Sequence, residues 1–336
     1  MNIAINGFGR IGRVFFRQAF GKENITIVAI NDLSDIEDLA YLLKYDTTYG
    51  RFEKDISISG KSFMVDGKEI KIYAEKDPIK LPWKDLNIDI VIEATGVFSD
   101  FVGAHKHIEA GAKRVVITAP AKDTQTCIFT PGLEDVSKIT SLGDAGRVTS
   151  NASCTTNAVN PVLAILDKVV GVEKATLNTV HGYTATQSLI DSIAIKDVRR
   201  GRAAALNIVP STTGAADATA RVLPRMKDKF GGISIRVPVI TGSLADITFI
   251  ASRPTTVQEI NSIFEKEVQS EKWKGIVKIS KDSIVSSDVI GEPYGAIIDT
   301  TLTQVVGGNL VKVFSWYDNE WGYCAMLLEH IRRLQA

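Results

Sequence analysis

The sequence predicts an α/β chain in two domains, on three observations. Up to Ser150, short apolar runs alternate with segments of helical spacing, the order that produces a doubly wound parallel sheet. Beyond Ser150 the apolar runs lengthen and a second set of motifs begins. The third observation is length, since 336 residues are enough for two hydrophobic cores. Hydrophobic residues at 45% and charged residues at 23% are those of a globular chain, not of a disordered one.

The same composition excludes several classes. A formal net charge of zero leaves no electrostatic footprint for nucleic acid or an anionic membrane. No apolar run approaches the roughly 18 residues of a membrane span. Three cysteines at unrelated spacings form neither a disulfide framework nor a C-x-x-C pair, so no metal is expected and a reducing, cytoplasmic setting is. The chain enters a strand at once, and no signal peptide is expected.

The first domain is read in order from that strand. Asn2–Asn6 is short and apolar, followed by Gly7-Phe8-Gly9-Arg10-Ile11-Gly12 and then Val14, Phe15, Gln18 and Ala19 at helical spacing. Strand, G-x-G-x-x-G and helix make a pyrophosphate cradle at a helix N-terminus. A second strand, Ile25–Ile30, ends at Asn31-Asp32, and Asp32 lies 20 residues beyond Gly12, where an acidic residue bonds an adenosine ribose. A dinucleotide-binding domain is therefore expected. Ile36–Leu43 is a helix. Asp55–Ile72 reads as strands with a turn at Asp66-Gly67. Asp89–Glu93 and Arg114–Ile117 are buried strands whose ends, Ala94-Thr95-Gly96 and Thr118-Ala119-Pro120, carry the small polar residues a doubly wound sheet turns toward a ligand. His105 and His107, two apart on one helix, are expected on the surface.

The second domain opens with Ser150-Asn151-Ala152-Ser153-Cys154-Thr155-Thr156-Asn157, followed by Val159, Val162, Leu163 and Leu166. Cys154 is placed at or just before a helix N-terminus, where the dipole favours a thiolate. A buried packing cysteine would sit among Val, Ile and Leu, not among Ser, Asn and Thr. Thr176–Val180 is a strand running into His181, the histidine best placed to serve as base to a thiol. Lys196–Arg202 is basic, and Asn207–Gly214 is a Ser/Thr/Gly loop before a helix from about Ala215. Ser234–Ile240 and Leu244–Ser252 are strands, the first with Arg236 among apolar neighbours, a charge that calls for an anionic partner. Val257–Glu267 is a helix, Leu302–Val306 pairs with Leu310–Trp316, and a last helix runs from about Asn319 to Leu334. Cys324 and His330 on it are read as structural.

Taken together, Ile5–Arg13, Ser150–Asn157, His181-Gly182-Tyr183-Thr184, Pro210–Ala216, Arg236-Val237-Pro238 and Trp316-Tyr317-Asp318-Asn319-Glu320 resemble the phosphorylating glyceraldehyde-3-phosphate dehydrogenase family across essentially the whole chain. The resemblance implies a Rossmann NAD-binding domain over 1–150, completed by a C-terminal helix 319–336. An α+β catalytic domain with a mostly antiparallel sheet follows over 151–318. It implies the glycolytic oxidation of glyceraldehyde 3-phosphate with NAD and inorganic phosphate to 1,3-bisphosphoglycerate, through a thiohemiacetal and a thioester on Cys154, with His181 as base. By match to the family's motifs, Thr184, Arg200 and Arg236 would hold the substrate phosphate. Ser153, Thr155, Thr213 and Gly214 would hold the attacking phosphate. Gly7, Gly9, Arg10, Ile11, Gly12, Asp32, Lys76, Thr95, Gly96, Thr118 and Asn319 would contact the dinucleotide. A homotetramer is implied, with the Lys196–Ala204 loop near a neighbouring subunit's cofactor.

The chain departs from the family pattern in four places. Gly182 stands where Ser is usual and Asp217 where Lys is usual. Val239-Ile240-Thr241-Gly242 stands where many members read Thr-Pro-Asn-Val, and Asp191–Ala194 carries an extra residue. Three rival readings remain. Erythrose-4-phosphate dehydrogenase shares the nucleophile, although Thr184-Ala185-Thr186-Gln187 matches the triose enzyme. A cofactor-free Cys–His acyl hydrolase conflicts with the Gly7–Asp32 unit, and a non-enzymatic RNA-binding protein conflicts with the neutral charge.

Overall fold

The computed structural model describes residues 1–194 and 197–334. The expectations for Lys196 and for the last two residues of the C-terminal helix fall outside the described residues. The chain divides into two compact units: Met1–Phe129 with Glu134–Ala152 and Leu327–Ala336, and Thr130–Leu133 with Ser153–Met326.

The first unit is built on β1 (Asn2–Asn6), α1 (Arg10–Ala19), β2 (Thr26–Asn31), α2 (Ile36–Lys44), β3 (Ile56–Ser59), β4 (Ser62–Val65), β5 (Lys68–Tyr73), β6 (Ile90–Glu93), α3 (Phe101–Glu109), β7 (Arg114–Ile117), β8 (Cys127–Ile128), α4 (Val136–Ser141) and β9 (Val148–Ser150). One nine-stranded sheet runs in the order β3-β4-β5-β2-β1-β6-β7-β9-β8. From β5 to β8 every pairing is parallel. Parallel strands covered on both faces read as unbroken apolar runs, and Ile3, Ile5, Val91, Val115 and Val116 are indeed fully buried. Strand order reverses at β1, with β2 on one side and β6 on the other, so the crevice of this sheet opens at the C-terminal ends of β1 and β6. Asp66 and Gly67 both take positive φ, 46° and 75°, in the tight turn that joins β4 to β5.

The second unit contains α5 (Cys154–Val169), β10 (Val172–Gly182), β11 (Val209–Thr212), α6 (Ala215–Val222), β12 (Phe230–Val237), β13 (Ser243–Ala251), α7 (Val257–Glu267), β14 (Val277–Ser280), β15 (Ala296–Val306) and β16 (Leu310–Tyr317). α8 (Trp321–Arg333) begins in this unit. Its seven strands run β11-β12-β10-β13-β16-β15-β14. Only β10–β12 and β14–β15 are parallel, so the sheet is mostly antiparallel, as expected. Val159, Val162, Leu163 and Leu166 of α5 share one core with Ile247, Phe249, Val311 and Val313 of the sheet, and each removes an apolar side chain from water at about 1.5–3 kcal/mol.

Several boundaries differ from those read in the sequence. β10 begins four residues earlier than Thr176 and ends two later, at Gly182, which carries His181 inside the ladder rather than beyond it. β12 starts at Phe230 and stops at Val237. The expected loop 207–214 contains β11, an edge strand that pairs with β12 despite its turn-rich composition. Pro210 fits there because an edge strand can spare a backbone donor. In each case tertiary pairing overrides local composition.

Candidate functional site

Cys154 is the first residue of α5, and Ser153 is the N-cap, its Oγ accepting the Thr156 N–H at 3.1 Å. Ala152, just ahead, is held at φ 51°, a left-handed conformation uncommon for a residue with a Cβ. The Cys154 N–H, like the other first-turn donors, has no partner within the helix. His181 occupies the end of β10 and is 4% exposed. Its Nε2 lies 3.4 Å from Cys154 Sγ. Sulfur and imidazole, 27 residues apart in sequence, thus form one pair.

Parallel register sets His181 directly opposite Arg236 on β12. Arg236 Nη1 is 2.7 Å from His181 Nδ1 and donates to the Gly182 carbonyl at 3.1 Å. The same carbonyl oxygen is 2.6 Å from Nδ1. The carbonyl can only accept and the guanidinium can only donate, so these two contacts favour opposite tautomers; a proton on Nδ1 answers the carbonyl and leaves the Nε2 lone pair facing sulfur, the tautomer a base to the thiol requires. Arg236 then acts on the ring as a neighbouring charge. Burial and the Arg236 charge push the His181 imidazolium down to about 3, against the Gly182 carbonyl, which favours it. Burial also pushes the Cys154 thiol up, while Arg236 and Thr155 hold it back. The helix terminus was expected to lower this thiol; burial is the larger effect and raises it. The resting pair is therefore a neutral thiol beside a neutral base.

Arg236 has no carboxylate within ion-pair distance among the described residues, and Arg200 bears on it as a like charge. Arg200 Nη2 donates to Ser211 Oγ at 3.3 Å and to the Thr212 carbonyl at 3.4 Å, with Asp197 at 3.6 Å from its Nε. Two guanidinium groups in one electrostatic neighbourhood suit an anion. Thr184 bonds Thr186 at 2.9 Å, and Thr213 Oγ1 accepts the Ala215 N–H at 3.2 Å at the head of α6. Nothing lies within 4 Å of where a Gly214 Cβ would sit, so its backbone is open to a ligand.

Tyr317 was not singled out from sequence. It is 1% exposed at the end of β16, its hydroxyl 3.0 Å from Thr155 Oγ1 and 2.7 Å from Thr179 Oγ1. Its ring meets His181 edge to face at 6.0 Å between centroids. The period of two along β16 puts Tyr317 on the buried face with Val311, Val313 and Ser315, which was a usable signal. The Thr155 hydroxyl, expected to serve phosphate, is thus engaged with Tyr317.

Gly182 and the Val239–Gly242 departure are one steric feature. A Cβ on Gly182 would sit 3.0 Å from the Ile240 carbonyl oxygen and 3.1 Å from that of Val239, and Tyr183 N–H donates to Val239 at 3.0 Å. Gly182→Ser is expected to destabilise the chain by about 1–3 kcal/mol and to lower kcat by loosening the carbonyl that orients His181. Urea midpoints and kcat measured side by side check this, and two unchanged values would contradict it.

The first unit holds a cleft of about 480 Å³ lined by Gly7, Gly9, Asp32, Lys76 and Thr95. Its glycines divide the work as a dinucleotide requires. Gly7, at φ 93°, has Thr95 N 2.6 Å from a hypothetical Cβ, Gly12 has the Gly7 carbonyl oxygen at 2.2 Å, and Gly9 has nothing within 4 Å. The first is a tight turn, the second a close helix–strand contact, and the third an open backbone for pyrophosphate. These residues fit the group. Asp32 accepts the Phe8 N–H at 2.7 Å and the Ser34 N–H at 3.0 Å. Arg10 is paired with Asp46 and lies over the Tyr49 ring, and Ile11 is the second residue of α1. Gly96 has φ 73°, and Thr118 Oγ1 donates to the Glu93 carbonyl at 3.1 Å. In the second unit Asn319 Oδ1 accepts from Ser243 at 2.8 Å and Thr241 at 3.2 Å, which fixes the side chain through its oxygen.

His107 corrects the sequence reading: it is fully buried, not superficial. Ala104, His107 and Ile108 form the inward face of α3, and His105, two residues away, points elsewhere. His330 is structural as expected, stacked on Phe129 at 3.9 Å and close to Thr149 and Asn151.

Comparison with known proteins gives matches along the chain. The family model described as glyceraldehyde 3-phosphate dehydrogenase, NAD binding domain, matches residues 1–101, and that of the C-terminal domain matches 153–319. Glyceraldehyde-3-phosphate dehydrogenase 2 of Streptomyces avermitilis is 46% identical over 332 residues, 98% of this chain and 97% of the relative. Glyceraldehyde-3-phosphate dehydrogenase of Thermotoga maritima is 47% identical over 334 residues, 99% of this chain and 98% of the relative. A chloroplastic glyceraldehyde-3-phosphate dehydrogenase A of Chlamydomonas reinhardtii is 46% identical over 335 residues, 98% of this chain and 87% of the relative.

Proposed function

The chain belongs to the glyceraldehyde-3-phosphate dehydrogenase family and is an NAD-dependent oxidoreductase, and from that premise we propose how its own residues carry the reaction and which acceptor ends it. Cys154 is the nucleophile and His181 the base. The observation that supports this most is the 3.4 Å contact between Sγ and His181 Nε2, the nitrogen that carries the lone pair in the tautomer whose Nδ1–H faces the Gly182 carbonyl. As sulfur attacks the aldehyde carbon, His181 Nε2 takes the thiol proton, so a neutral thiol suffices at the start. The Cys154 N–H and the new imidazolium face the oxyanion, and returning the proton completes a thiohemiacetal. His181 then removes the hydroxyl proton while the hydride departs, leaving a thioester on Cys154. NAD, when bound, supplies the hydride acceptor. Inorganic phosphate attacks the thioester, the Cys154 thiolate leaves, and an acyl phosphate is released.

For the dinucleotide, Gly7, Gly9, Gly12 and the head of α1 with Arg10 and Ile11 would take the pyrophosphate. Asp32 would take the adenosine ribose, and Lys76, Thr95, Gly96 and Thr118 would line the remainder. Asn319 would donate to the carboxamide. The division of labour follows: a cofactor domain over 1–150 with the helix 319–336, and a catalytic domain over 151–318. The tetrose-phosphate alternative is not favoured, since the relatives above carry the triose-phosphate name.

Arg236, Arg200 and Thr184 hold the phosphate of the substrate, and Ser153, Thr155, Thr213 and Gly214 serve the attacking phosphate, with Arg236 shared. The unpaired Arg236 charge and the open Gly214 backbone support this. Thr213→Ala is expected to raise the phosphate KM roughly ten- to a hundredfold and leave the aldehyde KM nearly unchanged, whereas Arg236→Leu raises both; one hydrogen bond to a charged group is worth about 1.5–3 kcal/mol. Steady-state kinetics with each substrate varied in turn tests the split. Equal shifts in both KM values for Thr213→Ala would contradict it.

A homotetramer is part of the same proposal. It is supported by large apolar side chains left in the open between residues 189 and 208, where Leu189 is 80%, Ile193 96% and Leu206 85% exposed. A cytoplasmic location is supported by three cysteines that form no disulfide. No helix among the described residues is long and apolar enough to cross a membrane.

A further inference from the structure

Beneath the cleft of the first unit lies a buried polar network that the mechanism above does not use. Glu93 ends β6 at 2% exposure, and its two oxygens accept from four donors. Oε1 takes the Thr95 N–H at 2.9 Å and the Thr95 hydroxyl. Oε2 takes Asn6 Nδ2 at 2.6 Å and faces His107 Nε2 at 3.1 Å. The His107 tautomer is set from behind, because the indole N–H of Trp83 donates to His107 Nδ1 at 2.9 Å and an indole nitrogen can only donate. Nε2 therefore carries the proton and donates to Glu93. No Lys or Arg lies within ion-pair distance of Glu93 among the described residues.

The network reaches both walls of the cleft. Asn6 Oδ1 accepts from Asn31 Nδ2 at 2.7 Å, and Asn31 in turn holds the backbone of Glu75 in both directions, N–H to Oδ1 at 2.8 Å and Nδ2 to carbonyl at 2.9 Å. On the other side Thr95 Oγ1 accepts the Val97 N–H at 3.0 Å, and the Thr95 backbone is what a Gly7 Cβ would strike. Glu93 thus fixes the wall against which the glycine turn is built. Asp32 is held separately, by Phe8 and Ser34. A satisfied buried network of this kind is costly to leave half-made.

We propose that Glu93 and His107 are positioning residues for the dinucleotide: Trp83 sets the His107 proton, His107 and Asn6 orient the Glu93 carboxylate, and Glu93 holds Thr95 and, through it, the Gly7 turn in the geometry that receives pyrophosphate. This rests on the reading of the cleft as the NAD site. Its consequence is selective. Disturbing Glu93 weakens binding of the whole dinucleotide, while the adenosine end, held by Asp32, is spared.

The test is isothermal titration of the full chain with NAD and, separately, with AMP, alongside thermal melting and iodoacetamide labelling of Cys154 without NAD. Glu93→Gln puts an NH₂ against donors, and His107→Leu removes the donor to Oε2; each is expected to weaken NAD binding roughly ten- to a hundredfold, the worth of one hydrogen bond to a charged group. AMP affinity and the Cys154 labelling rate should stay within about twofold of wild type, a factor of about 0.4 kcal/mol. His107→Gln, which retains one donor and one acceptor, should recover much of the NAD affinity. Unchanged NAD affinity in Glu93→Gln would overturn the proposal, and so would equal losses of NAD and AMP, which mark a merely structural role. If Glu93→Gln does not fold, the comparison of His107→Leu with His107→Gln decides, and equal NAD affinities there overturn it. Failure of the wild-type chain to bind NAD would instead overturn the reading of the cleft.

Discussion

Cys154→Ser is expected to reduce turnover by ~10⁴–10⁶-fold, the scale on which the loss of a covalent nucleophile is felt. A hydroxyl is a far weaker nucleophile than a thiol at neutral pH, and an ester in place of the thioester resists phosphate. The variant should fold, because the residue is the first of α5 and its cap, Ser153, is retained. NAD binding should persist, since the cleft glycines are untouched. Iodoacetamide should label wild type once, at Cys154, and abolish activity; Cys324 is fully buried and Cys127 lies in a strand. Substantial activity in Cys154→Ser, or labelling at another cysteine with activity retained, would remove Cys154 from the mechanism.

His181→Asn carries the second largest effect, a loss in kcat of about 10²–10⁴-fold. The amide can hold the Gly182 contact but cannot take a proton. Because burial and Arg236 hold the wild-type imidazolium at about 3, the free protein should show no acid limb near the ordinary histidine value of 6.5. The same depression has a stability consequence whose sign is fixed. The unfolded chain takes up protons below about 6.5 that the folded His181 refuses until about 3, so stability is full above 6.5 and lost as pH falls toward 3. His330, held at about 3 by burial and the Arg114 charge, behaves alike. Removing His181 should make this acid loss shallower. Urea unfolding at a series of pH values reads the slope, and an unchanged kcat with an unchanged slope would exclude His181 as base.

Much of this architecture was legible because local signals agreed. The unbroken apolar runs at β1, β6 and β7, the glycine turn and Asp32 specify a parallel sheet and its crevice without any distant partner. Ser153-Cys154 before an apolar helical stripe likewise places the nucleophile at a helix start. What was hidden depends on pairing across the chain. β11 has the composition of a loop and becomes a strand only against β12. The meeting of Arg236 with His181 follows from the β10–β12 register, and the Cys154–His181 contact from the packing of α5 on the sheet, neither of which any spacing of residues along the chain reveals. The direction of the Cys154 shift was misjudged because a helix terminus can be read locally, whereas the degree of burial cannot. His107 and Tyr317 were legible in part: helix and strand periods put both on inward faces.

The central claim is that a Cys154 thioester is passed to inorganic phosphate rather than to water. The most direct measurement is NADH formation from glyceraldehyde 3-phosphate, followed with and without inorganic phosphate, together with identification of the product. The expected result is turnover that saturates in phosphate, yields an acyl phosphate, and nearly stops after one equivalent of NADH per site when phosphate is withheld. Rapid phosphate-independent turnover to the free acid would contradict it.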